Sequence, residues 1–95
     1  SQALPVSTWG NTGGVEEILF ARDGRFLCHS VGSSEWREND YRVLDSLRKI
    51  ELKWRHDGYV AQCNFDVQYS RFIEADNAIW WLVASEPYLH PSFRG

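Results

Sequence analysis

The chain has little cysteine, no block of basic residues and no long apolar run, and each shortage excludes a class of protein. Two cysteines, Cys28 and Cys63, are too few for a secreted disulfide framework, and their spacing matches no zinc or redox motif. They read as one disulfide or as two buried thiols that pack like small hydrophobes. Ten Lys and Arg stand against 13 Asp and Glu, interspersed along the chain, for a formal net charge of -3. Phosphate neutralisation supplies most nucleic-acid affinity, so this balance argues against DNA or RNA as partner. The longest apolar run, Ala78 to Ala84, is too short to span a bilayer and reads as a core strand. No charged segment followed by an apolar one opens the chain, and its first residue is Ser, which fits processing or excision from a longer protein. Localisation is left open.

Motifs that carry chemistry are also missing. His29, His56 and His90 stand far apart, and none lies two to four residues from another His or a Cys. Cys28 and His29 are adjacent, but neighbouring strand residues point to opposite faces, so no shared metal site is expected there. Glu16 and Glu17 face apart for the same reason. No Gly-x-Ser-x-Gly elbow occurs, and Gly10-Asn11-Thr12-Gly13-Gly14 has neither the Lys nor the following helix of a phosphate loop. No catalytic residue, metal ligand or cofactor is assigned. Were the chain an enzyme, Cys28, His29 or His56 would be expected at a cleft.

What is present is aromatic. Five Trp, four Tyr and five Phe in 95 residues favour pleated, half-buried structure over helix. Shifting the sequence against itself by 34 positions lays Glu17 to Gly24 on Glu51 to Gly58, matching Glu, an apolar residue, an aromatic and Asp-Gly without a gap. Each copy is a hairpin signature, because Gly supplies the positive φ of a tight or bulged turn. The first hairpin is expected to pair 15–21 with 25–30, and the second 49–55 with 59–69. A third is expected to join 71–75 to 78–84 across Asp76-Asn77. The segments Glu35-Trp36-Arg37 and Tyr41 to Leu44 add further short strands.

The reading is an all-β fold: one soluble domain over 1–95, a small antiparallel meander barrel or sandwich of about seven or eight short strands, with irregular tails at 1–8 and 86–95. A rival exists, since Val43, Leu44, Leu47, Ile50 and Trp54 share one face at helical spacing. A helix near 41–55 would make the domain α+β. Strands are preferred because Leu52 falls on the wrong helical face and because Asp57-Gly58 repeats the context of Asp23-Gly24.

The run of Phe20, Asp23-Gly24-Arg25-Phe26, Gly32 and Trp36, with Thr8-Trp9-Gly10 near the start, resembles the pattern of small lipocalin-like domains of the calycin type, over roughly half the chain. The resemblance implies a barrel holding a small apolar or aromatic ligand among Phe20, Trp36, Trp54 and Trp81.

The residues themselves point first to another function. Trp80 and Trp81 are adjacent on one expected strand and must face opposite ways. With Trp81 inside beside Ile79 and Val83, Trp80 and Leu82 would form an exposed apolar strip rimmed by Tyr69, Arg71 and Arg42, with Trp36 as a further contact. Such residues dominate binding hot spots. The expected function is therefore a non-catalytic binding module for a protein partner or a homodimer. A small apolar ligand is the first alternative. A glycan, stacked on Trp9 beside Asn11 or on Trp80 near Asn77 and Asp76, is the second.

Overall fold

The computed structural model describes residues 4, 6–14, 16–44, 48–66, 71–74 and 78–85, with Ala84 and Ser85 described by their backbone alone. Eight strands follow one another: β1 (Ser7–Asn11), β2 (Glu16–Phe20), β3 (Arg25–Ser30), β4 (Arg37–Val43), β5 (Lys49–Lys53), β6 (Val60–Asp66), β7 (Arg71–Glu74) and β8 (Ile79–Ser85). Each pairs antiparallel with the next, and β1 pairs with β8, so the meander closes into a barrel rather than a two-layer sandwich. Among the described residues there is no helix, and so none long and apolar enough to cross a membrane.

Both Asp-Gly corners form, and by the same local chemistry. Gly24 and Gly58 take positive φ, 89° and 73°, which a residue with a Cβ adopts only under strain. Asp23 Oδ1 accepts the Arg25 N–H at 3.2 Å, and Asp57 Oδ1 accepts the Tyr59 N–H at 2.9 Å. Each aspartate thus holds the backbone two residues on. The loops differ by one residue: Ala21 N–H closes on the Arg25 carbonyl, whereas Trp54 N–H closes on that of Tyr59.

Among the described residues of 41–55 there are parts of two strands, β4 and β5, and no helix. Ile50 and Leu52, two apart, are both wholly buried, while Lys49 and Lys53 are exposed, a period of two. The two short segments expected at 35–37 and 41–44 contribute to one strand, β4, which leaves Glu35, Trp36 and Leu44 outside it. The expected tail at 1–8 is also revised. β1 begins at Ser7, and Leu4 and Val6 are buried. Tyr41 explains this: its hydroxyl donates to the Ala21 carbonyl and accepts the Leu4 N–H at 3.1 Å, drawing the N-terminal stretch against the barrel. The tail at 86–95 lies outside the described residues.

Rings fill the interior. Phe72 meets Trp9, Phe20, Phe65 and Trp80 with centroids 5.2 to 5.9 Å apart, and Phe20 meets Phe26 and Tyr41. Eight strands enclose just enough space for such side chains. Because a meander alternates its turns, 12–14, 31–36 and 54–58 gather at one end of the barrel, and 21–24 lies at the other.

Candidate functional site

The two indoles of β8 part, but in the opposite sense to the sequence expectation. Trp80 is 3% exposed and belongs to the core, whereas Trp81 is 41% exposed, Leu82 38% and Val83 63%. Phe72 decides the phase. It lies opposite Trp80 across the β7–β8 ladder, and the two rings stack inside at 5.8 Å. The Trp80 indole N–H is satisfied by Glu74 Oε1 at 2.8 Å, which removes the cost of burying it. A bulge then breaks the alternation: Trp9 pairs with Leu82 but Thr8 pairs with Ala84, so Val83 is an extra residue. Leu82, although opposite the buried Trp9, and Val83 are both exposed.

Trp81 is held on the outer face. The Arg71 guanidinium lies 5.4 Å from its ring centroid, and its indole N–H donates to Thr12 Oγ1 at 3.3 Å. Arg71 also pairs with Asp66 at 3.2 Å. The other residues expected in the strip are not there. Arg42 sits on β4, opposite β8 in the ring of strands, and pairs with Glu51 at 3.2 Å. Trp36 stacks on His29 at 3.8 Å, beside β3. Tyr69 lies outside the described residues. Nor do Phe20, Trp36, Trp54 and Trp81 line one cavity, since Phe20 is wholly buried in the core and Trp81 is outside. The glycan platforms fail likewise: Trp9 and Trp80 are buried, and Asp76 and Asn77 lie outside the described residues.

A second feature was not foreseen. Along three neighbouring strands the inward row changes character toward one end: Phe20, Ile18, Glu16 on β2; Phe26, Cys28, Ser30 on β3; Tyr41, Asn39, Arg37 on β4. Aromatic residues give way to polar ones, and the end they reach opens as a cavity of about 300 Å³ lined also by Ser33, Glu35, Trp54 and His56. Asn39 forms part of its floor, buried and satisfied. Its Oδ1 accepts the Arg55 N–H at 3.0 Å, and its Nδ2 donates to the Arg37 carbonyl at 3.2 Å.

Cys28, His29 and His56 do meet at this mouth, yet they form no catalytic pair. Cys28 Sγ donates to Glu16 Oε2 at 3.7 Å, and burial first, then the Glu16 charge, push the thiol up to about 12, so it stays protonated. His29 turns outward, with its nitrogens on Glu17 Oε1 at 2.8 Å and the Ser33 carbonyl at 3.1 Å. As adjacent strand residues require, Glu16 faces the mouth and Glu17 the outside. His56 lies 3.4 Å from Asp57. Among the described residues no three His, Cys, Asp or Glu converge to hold a metal ion.

No family model, curated protein or solved structure significantly matches the chain. Its function is therefore argued from these two surfaces alone. The mouth was legible in part, because Glu16 and Arg37 sit in phase with buried apolar residues, an anomaly that marks a polar end to the core.

Proposed function

We propose that the domain is a non-catalytic interaction module that docks a protein partner, or a second copy of itself, on the β8 strip. The observation that carries this reading is the run Trp81, Leu82 and Val83, three consecutive apolar side chains exposed on one strand. A solvated strand alternates, whereas this one stays apolar, and Trp with a stacked Arg is typical of binding hot spots. Closure of the barrel leaves no free strand edge, so docking by strand addition is replaced by docking on a face. The protonated thiol and the outward-turned His29 speak against nucleophilic chemistry at the mouth, where Cys28 and His29 meet.

The test combines light scattering over a concentration series with a photo-crosslinking residue at position 83 in extract from the source cells. Concentration-dependent dimerisation, or one crosslinked protein competed by unlabelled wild type but not by Trp81→Ser, is the expected result. A monomer at every concentration that yields no competable crosslink overturns the proposal.

A further inference from the structure

We propose that the polar mouth of the barrel is a second binding site, and that its ligand is a single neutral sugar ring of hexose or N-acetylhexosamine size. The site is separate from the β8 strip. Its lining comes from β2, β3, β4 and the turns at 31–36 and 54–58.

The charges at the mouth differ from those elsewhere on the barrel. On the outer wall Arg25, Arg42, Arg55 and Arg71 each meet a carboxylate. At the mouth the Arg37 guanidinium and the Glu35 carboxylate bond to no side chain among the described residues, and Glu16 spends only Oε2, on Cys28. Groups of both signs that line the mouth are thus left to a third party. A ligand that displaces their hydration must replace those hydrogen bonds.

The mixture selects the class of ligand. A simple anion attracted by Arg37 meets Glu16 and Glu35, and a simple cation meets Arg37. A hydroxyl both donates and accepts, so one ring can donate to the carboxylates while accepting from the guanidinium. Ser30 and Ser33 add groups of the same dual kind at the rim. Trp54 supplies the apolar wall that a sugar's C–H face needs, and it is held rigid by Phe26 at 5.5 Å and Tyr59 at 5.4 Å. At about 300 Å³ the cavity is at the small end for ligand sites, which suits one ring.

The experiment is an amide NMR titration of the isotope-labelled domain with glucose, galactose, mannose and N-acetylglucosamine, with glycine and inorganic phosphate as ionic probes. At least one sugar is expected to shift the amides of 28–37 and 54–56 and the Trp54 indole N–H in a saturable way. Glu35→Gln and Arg37→Ala, both at exposed positions, should each weaken that binding roughly tenfold, the size of one charge-assisted hydrogen bond. Arg42→Ala, on the outer wall, should leave it unchanged. The proposal is overturned if no sugar gives saturable shifts, if glycine or phosphate binds more tightly than every sugar, or if binding survives both mouth substitutions in variants whose spectra remain folded.

Discussion

The outer wall of this barrel has two flanks that solve the same problem differently. On the β3–β4 flank, Arg25 bonds Asp23 and Glu38 at 2.6 Å, and Arg55 bonds Asp40 at 2.7 Å and Glu38 at 3.2 Å. These charges form a chain, with Glu38 shared between two guanidinium groups, and the flank is complete in water. On the β8 flank the ladder is bulged, and Trp81, Leu82 and Val83 are all exposed, with one arginine over the indole. Only the second flank gains by being covered. Apolar area is thus spent outside the barrel where closure has already satisfied the backbone.

The largest test of this contrast compares adjacent indoles. Trp80→Ala should cost about 3–5 kcal/mol, because it opens a cavity beside Phe72 and removes the indole N–H that bonds Glu74. Trp81→Ser should change stability by roughly 0.5 kcal/mol or less. Urea unfolding of both variants measures the gap. Equal losses would mean that both rings are core and that β8 offers no docking face.

An intermediate effect is expected at the corner that feeds the charged flank. Gly24 has φ of 89°, and its carbonyl accepts the Tyr41 N–H at 2.8 Å. Gly24→Ala should destabilise by about 1–2 kcal/mol through backbone strain, read from the thermal midpoint. The same substitution at Gly10, whose φ is not positive, carries no such backbone penalty.

The smallest effect is electrostatic. The bond from Arg55 holds the Asp40 carboxyl below its ordinary value, with a further coulombic contribution from the same residue. A carboxylate depressed in the folded state adds stability above its unfolded pKa, and that contribution is lost as the pH falls through the folded value. Arg55→Ala should return the Asp40 midpoint to the ordinary carboxylate range in an NMR titration and flatten the acid side of the stability profile slightly. High salt should erase most of the difference, since both side chains are about half exposed. A variant difference that persists in salt would show that the flank holds the fold by packing rather than by charge.

Much of the architecture was readable from residues alone. The Asp-Gly pairs at 23–24 and 57–58 announce their turns because glycine's φ and aspartate's reach to the backbone are local properties. Ile50 and Leu52 announce a strand through alternation. The two candidate surfaces were less legible. That Trp80 and Trp81 oppose each other follows from the pleat, but which one enters depends on Phe72, a residue of another strand. The loss of alternation after Leu82 depends on a bulge that only the β1–β8 seam creates. Arg42 looks like a neighbour of the strip in composition, and it is four strands away in the ring.

The sequence by itself determined where the chain turns and that its strands each have one apolar face, because those are choices made within a few residues. Tertiary structure decided which tryptophan is solvent-exposed and which polar residues share the mouth. Both depend on closure, which fixes the phase of each strand against partners far away in the chain and brings Glu16, Arg37 and Trp54 to one rim.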